Sequence, residues 1–342
     1  EIRISFYASD WDYQLDSLYV LGDNDRILAD LIIDGENYDS VGVRYKGFSS
    51  VSVNRIKNPF NIKLDYIIDG QDHQGIDKLK LSNVYQDPSF IREVLSYEIS
   101  RKYMPASQAN FTNLFINDTL WGLYTNVEAV NKSFLIDHFD SKYNAFFKCN
   151  PENINVQIGG ENSNLSNSHG TDSTNYEPFY SIESDYGWKD LYNLIDTLNN
   201  FPDSVEQVLN VDRTLWMHAI NYSLINFDSY IGYAQNYYLY KDRTKQFNPI
   251  LWDFNMSFGG FRLTDASQLY YDGFDITESQ EMDPLIHHNY ISVSPRPLMR
   301  NLFSSERNRK MYLAHIRTIM QENFVNQDYF VRGQFLQNLT RE

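Results

Sequence analysis

Tyr222–Gly260 reads YSLINFDSYIGYAQNYYLYKDRTKQFNPILWDFNMSFGG. A helical run closes at Asn226-Phe227-Asp228, and a short loop leads to Asn236. Tyr237–Tyr240 then reads as a strand, Lys241–Gln246 as a polar turn and Phe247–Trp252 as the returning strand of a hairpin. That second strand delivers Asp253 at its tip, with Phe254 and Asn255 behind it. The stretch therefore sets out an acid after a helix, an amide after a loop and a second acid after a hairpin. Aspartates at loop ends are common, so the upstream chain has to decide what the order means.

Composition sets the bounds. A chain of 342 residues can bury a large core and divide into two lobes. Aromatic residues make up 15%, with 26 Tyr, which predicts dense packing. A net charge of −16 disfavours nucleic acid or an anionic membrane as a general partner. The single cysteine, Cys149, excludes an internal disulfide framework and reads as a small buried residue. No apolar run is long enough to span a bilayer. The start at Glu1, with no methionine or signal peptide, is that expected of a mature or trimmed form. In so Asn-rich a chain, sequons such as Asn110-Phe-Thr and Asn338-Leu-Thr are attributed to chance.

Residues 1–70 read as strands of an antiparallel meander. Ile2, Ile4 and Phe6 alternate, as do Val41, Val43 and Tyr45, and again Phe60, Ile62 and Leu64. Turns fall at Leu21-Gly-Asp-Asn-Asp, Asp34-Gly and Asp69-Gly. Arg44, Lys46 and Lys63 lie on the face opposite the apolar one, which also suits a solvated sheet surface. Gly47–Ser52, with Ser49 and Ser50, is small and hydroxyl-rich, suited to presenting backbone N–H groups to an anion. Asp87 and Pro88 predict the start of a helix running from Ser89 to Tyr103. Its apolar stripe is Ile91, Val94, Leu95 and Ile99, with Glu98 at the centre and Glu93 pointing away. A buried carboxylate needs a cation. Lys63 is the partner expected for Glu98, with an ordinary structural salt bridge as the competing account.

Downstream, Asn113–Asn117 and Leu123–Val130 predict a hairpin leading into a hinge, and Phe134–Phe139 a short helix. Residues 150–180 read as a long polar insertion, mobile or ligand-gated. Helical periodicity returns at Trp188–Leu198 and Val205–Leu209, and Asp212 is expected to cap the helix Leu215–Leu224. Helices resume beyond Pro297. His287-His288 is the one adjacent histidine pair and reads as ordinary loop residues.

A strand lysine held by a helix glutamate, followed by acid, amide and acid, is the order in which protein kinases present phosphate and metal ligands. The ordered segments Arg44-Tyr-Lys-Gly-Phe-Ser-Ser, Lys57-Asn-Pro-Phe-Asn-Ile-Lys63, Leu79-Lys-Leu-Ser-Asn with Asp87–Arg92, Trp121–Glu128, Asn226-Phe-Asp228, Asn236-Tyr-Tyr-Leu-Tyr and Pro249–Asn255 resemble the spore coat protein H (CotH) kinase family of atypical secreted protein kinases. The resemblance runs from about residue 40 to about 303. It implies an α+β, protein-kinase-like fold of two lobes. The N-lobe, 1–127, would be an antiparallel sheet plus one helix that binds nucleotide phosphates. The C-lobe, 128–342, would be mainly helical and carry the catalytic hairpin.

The resemblance also implies roles. ATP and Mg2+, or Mn2+, would be bound, and a protein Ser or Thr hydroxyl phosphorylated. Asp228 would take the hydroxyl proton or orient the nucleophile. Lys63, steadied by Glu98, would neutralise phosphates, and Arg44, Lys46, Ser49, Ser50 and Glu128 would contact the nucleotide. Asp253 and Asn236 would hold the metal, with Asn255 second. Family members tend to carry an acid where this chain has Asn255, which offers an oxygen without charge. A secreted, cell-surface or periplasmic location follows from the family alone. Two other readings stay open. One is a kinase of sugars or other small molecules. The other is a catalytically weak adhesin or coat-assembly module.

Overall fold

The structure, a computed structural model, describes residues 1–157, 160–265, 268–285 and 295–341. It is α+β, and its residues group into two compact units. The first holds 1–94, 107–134 and 336–342, and the second holds 95–106 and 135–335. The chain thus passes between the units repeatedly, where a single division at 127/128 was expected.

The first unit is built on a closed barrel rather than an open meander. Its strands are β1 (Ile2–Phe6), β2 (Ile27–Ile33), β3 (Glu36–Tyr45), β4 (Phe60–Lys63), β5 (Lys78–Ser82), β6 (Ala109–Ile116) and β7 (Thr119–Glu128), in the order β1-β2-β3-β4-β5-β7-β6. Every neighbouring pair is antiparallel except β1 and β6, whose parallel pairing of Ile2 with Leu114 closes the barrel. Closure removes the sheet edges that a meander would leave unpaired. The alternating residues converge inside, where Ile4, Ala29, Val43, Ile62, Leu81 and Leu114 are buried. One helix interrupts the strands that 1–70 was expected to contain: α1 (Trp11–Val20). It docks through Trp11 and Leu15, one turn apart, with Trp11 stacked on Phe6 at 4.6 Å.

α2 (Arg92–Ser100) is shorter than the predicted helix. Asp87 accepts from the N–H groups of Ser89 and Arg92, and Phe90 takes a positive φ of 64°, so residues 87–91 form a turn ahead of the first helical residue. The helix is buried on most sides, since Glu93, Ser96, Tyr97 and Ser100 join Val94, Leu95 and Ile99 inside. A one-stripe reading therefore misjudged its faces.

In the second unit, β8 (Phe146–Cys149), β9 (Tyr180–Ile182), β10 (Tyr237–Lys241) and β11 (Phe247–Leu251) form an antiparallel sheet in the order β11-β10-β8-β9. The β10–β11 hairpin differs from its predicted extent by one residue on each strand, Lys241 joining β10 and Trp252 falling beyond β11, with Leu239 opposite Pro249. Cys149 is buried and free. α3 (Lys132–Phe139) covers the short helix expected over Phe134–Phe139. α4 (Trp188–Asn200) buries Leu191, Leu194, Ile195 and Leu198 at helical spacing. α5 (Val211–Ser223) is capped by Asn210, whose side chain accepts from the Arg213 N–H at 3.0 Å, and not by Asp212, which sits in its first turn. Among the described residues, no helix is long and apolar enough to cross a membrane.

The polar 150–180 segment is not peripheral. Asn162, Ser163, Asn164 and Leu165 are buried, and Tyr180 enters β9. Low apolar content here reflects a core contact made through hydrogen bonds rather than through aliphatic side chains.

Candidate active site

Asp228 reaches its place through strained backbone. α5 ends at Ser223, and Ile225 turns the chain with φ 47°, a left-handed conformation that a β-branched residue rarely adopts. Asn226 ties the turn back, its N–H to the Asn221 carbonyl at 2.8 Å and its side chain to the Asn221 amide oxygen at 3.0 Å. A short helix, α6 (Tyr230–Tyr233), follows. Gly232 in it lies against the Phe227 carbonyl so closely that a Cβ would stand 1.8 Å from the oxygen. Arg296, fully buried, donates to the carbonyls of Tyr230 at 2.9 Å and Gly232 at 2.5 Å and is paired with Asp265. The loop carrying Asp228 is thereby fastened from inside.

The next turn brings two amides onto that acid. Ala234 and Asn236 both adopt left-handed φ values, 50° and 58°. The Asn236 side chain donates to the Asp228 main-chain carbonyl at 2.9 Å. Gln235, between them and only 3% exposed, donates its side-chain N–H to an Asp228 carboxylate oxygen. The buried 162–164 segment holds this turn. Ser163 N–H donates to the Ala234 carbonyl at 2.9 Å, and the Asn162 amide to the Tyr233 carbonyl at 2.8 Å.

Asp253 follows the hairpin at a fourth left-handed position, φ 61°, where its N–H donates to the Tyr97 hydroxyl at 3.1 Å. The Tyr97 ring packs edge-on against Phe254 at 5.0 Å. Burial, and then the negative charge of Asp253, push the Asp228 carboxyl up to about 7, against the opposing pull of the Gln235 and Asn236 hydrogen bonds. The two carboxylates feel each other's charge, and a carboxyl raised by burial and a like charge is the kind of group found at functional sites. The amide oxygen of Asn255 is buried without a hydrogen-bond partner.

These groups suit a hard divalent cation. All the donors are oxygens, from Asp253, Asn236, Asn255 and Asp228, and the buried Asn255 oxygen lacks the donor that it needs. Among the described residues, no cluster combines three or more His, Cys, Asp or Glu. A metal here would rest on few protein ligands, as magnesium does when phosphates complete its shell.

The barrel unit offers cations. Arg44 pairs with Asn61 and Asn61 with Lys80 across β3, β4 and β5, while Gly42, Lys63 and Lys78 form the next row. These positions alternate with the buried Val43, Ile62 and Leu79, so the charges share the outer face. Lys46, just beyond β3, donates to the Ser82 hydroxyl at 3.1 Å, and that hydroxyl donates to Glu93 at 3.4 Å. Glu93 is 6% exposed.

The lysine–glutamate pair predicted from sequence is therefore replaced. Lys63 lies 3.6 Å from Asp65 at a side-chain exposure of 37%, and Glu98 forms a bidentate pair with Arg332 at 2.7 and 2.8 Å. The buried glutamate of α2 is Glu93, because the helix begins later and buries more of its girth than the stripe implied. Arg44 donates to Asn24 at 2.5 Å, and burial lowers its pKa. Glu128 accepts the Gln108 N–H at 2.8 Å. Ser49 and Ser50 sit in a loop whose carbonyls are held by Arg55 and Asn83. His287-His288 lies outside the described residues. Sequence reasoning brought Asp228, Asn236, Asp253 and Asn255 into one stretch but passed over Gln235, Tyr97, Ser82 and Glu93. For Gln235, its place in a Gly-Tyr-Ala-Gln-Asn turn beside a candidate ligand was the available signal.

Residues 43–332 match the family described as CotH kinase protein. No curated protein matches the chain.

Proposed function

From a chain that belongs to the CotH kinase protein family, we propose an ATP- and magnesium-dependent phosphotransferase with a two-lobed, kinase-like organisation, acting on Ser or Thr hydroxyls of a coat or surface protein. The observation that carries this reading is the Asp228–Asp253 pair, Asp253 itself on left-handed backbone, beside the buried amide oxygens of Gln235 and Asn255, which have no partner among the described residues. Magnesium on Asp253, Asn236 and Asn255 would neutralise the triphosphate and polarise the bond to be broken. Asp228 accepts the proton of the acceptor hydroxyl as its oxygen bonds to the γ-phosphorus. The bond from γ-phosphorus to the bridging oxygen breaks, and ADP leaves with the electron pair. Lys46, steadied through Ser82 by Glu93, is the cation assigned to nucleotide phosphate, in place of Lys63. Most of the rate enhancement would come from positioning and fixed charge.

The test is transfer of labelled γ-phosphate to casein-like or autologous protein with magnesium or manganese, followed by phosphosite mapping. Asp253→Ala is expected to lose magnesium-dependent nucleotide binding while remaining folded. Asp228→Asn is expected to keep nucleotide binding and lower turnover roughly 10²–10⁴-fold. Near-parental turnover in Asp228→Asn would refute the assignment of the base. Label transferred to a sugar and not to protein would move the reading to a small-molecule kinase.

A further inference from the structure

We propose that Gln235 is a positioning residue for phosphotransfer, orienting the Asp228 carboxylate toward the acceptor hydroxyl. The inference rests on the reading of Asp228 just given. Three observations converge on it. Gln235 is 3% exposed, and its side-chain amide donates to an Asp228 carboxylate oxygen. Its side-chain amide oxygen is buried with no partner among the described residues, so the fold uses only the donor end of the amide, the end that meets Asp228. Lastly, the turn that aims it is held at both ends. Ala234 and Asn236 flank it in left-handed conformation, and the buried Asn162 and Ser163 grip the Tyr233 and Ala234 carbonyls.

The geometry assigns complementary tasks to neighbouring amides. Asn236 holds the Asp228 backbone through its carbonyl, which fixes where the residue sits. Gln235 holds one carboxylate oxygen, which restricts rotation of the group that is to receive the proton. A carboxylate free to rotate would spend much of its time misaligned, and misplacement of this order costs up to about 10²-fold in rate.

The experiment is a pair of substitutions read together. Gln235→Met, close in length and unable to donate, should lower kcat about 10- to 100-fold. The KM for ATP and the affinity for a fluorescent nucleotide with magnesium should stay within about twofold of the parent, since the Gln235 side-chain amide bonds Asp228 and not the side chains assigned to the metal. Its melting temperature should fall only modestly, because the Asp228 carboxyl that loses a donor can take up a proton instead. In an Asp228→Asn background the same substitution should add almost no further loss, because both act through one group. An undiminished second loss, or a rise in KM with kcat intact, overturns the proposal. A separate readout does not depend on activity. In protein labelled at glutamine nitrogen, one side-chain amide proton of the parent should be shifted downfield and slow to exchange, and Asp228→Ala should abolish that signal. If Asp228→Asn remains active, the reading of the base fails, and the amide signal alone decides whether Gln235 grips Asp228. If the signal persists in Asp228→Ala, the grip itself is refuted.

Discussion

The outer face of the barrel and the loops around Asp228 both concentrate ionic groups, but they place them by different means. On the barrel, Arg44, Lys63, Lys78 and Lys80 arrive by strand alternation. Each is displayed by a backbone that would form with almost any polar residue in its place. Around Asp228 and Asp253 the backbone itself is unusual, with Ile225, Ala234, Asn236 and Asp253 all at positive φ. Buried groups from distant segments, Arg296, Asn162, Ser163 and Tyr97, hold it there. Regular structure distributes charge tolerantly. Strained structure places it accurately and depends on each fastening.

The largest expected effect tests that dependence. Gly232→Ala would push a methyl group into the Phe227 carbonyl, so a loss of about 4 kcal/mol, or failure to fold, is expected. Thermal melting and soluble yield measure it, and a variant that melts like the parent would break the contrast. On the barrel face the comparison can be sharpened with two lysines. Lys46→Met should weaken magnesium–nucleotide binding roughly 10- to 100-fold, as expected for loss of a charged hydrogen bond. Lys63→Met, at an exposed site, should change it less than about threefold. A titration that reversed the two would return the phosphate role to Lys63.

A smaller effect concerns pH. The Asp228 carboxyl titrates at about 7 in the fold against an ordinary value of 3.8, so between these values the native state keeps a proton that the unfolded chain has lost. Rising pH therefore costs stability across that window, and the cost is complete above about 7. Asp228→Asn removes the cost. Its stability relative to the parent should grow from pH 4 to pH 7 by up to about 4 kcal/mol and then level off, in metal-free urea melts. Buried His218, held down to about 3, contributes the opposite slope below its ordinary 6.5, but it is common to both proteins and cancels. A constant difference across pH would show that the carboxyl is not raised. The smallest effect is expected at Glu98→Gln. Its partner Arg332 has a side-chain exposure of 45%, so the loss should stay within about 0.5 kcal/mol and nucleotide affinity should not move.

The same contrast explains what was legible beforehand. Strand alternation is a period-2 signal, so β1, β3 and β4, the β6–β7 and β10–β11 hairpins and the face of Arg44, Lys46 and Lys63 could be read from the residues, whereas β2 and β5 were not singled out. Closure of the barrel could not, because the parallel pairing of Ile2 with Leu114 joins segments with no local signature. The choice between Glu93 and Glu98 failed for a related reason. A helix buried around most of its girth has no single apolar stripe to locate. Asp228, Asn236 and Asp253 stood out as polar residues ending apolar elements. The hold of Gln235 on Asp228 depends on left-handed turns at Ala234 and Asn236, and propensity assigns such turns to glycine. The buried 162–166 segment was misread because its core contacts are made by Asn and Ser.

Arg296 carries a consequence for how the chain is made. Ribosomes release the protein from its N-terminus, so Asp228, Asn236 and Asp253 all emerge before the guanidinium that clasps the Tyr230 and Gly232 carbonyls. Until then α6 lacks that clasp and Asp265 lacks its buried counterion. A nascent chain halted after β11 would hold every assigned metal ligand up to Asp253 without the clamp that sets the Asp228 loop. Competence for phosphotransfer would arise late in synthesis, when the residues around Pro297 fold back onto a turn translated more than sixty residues earlier.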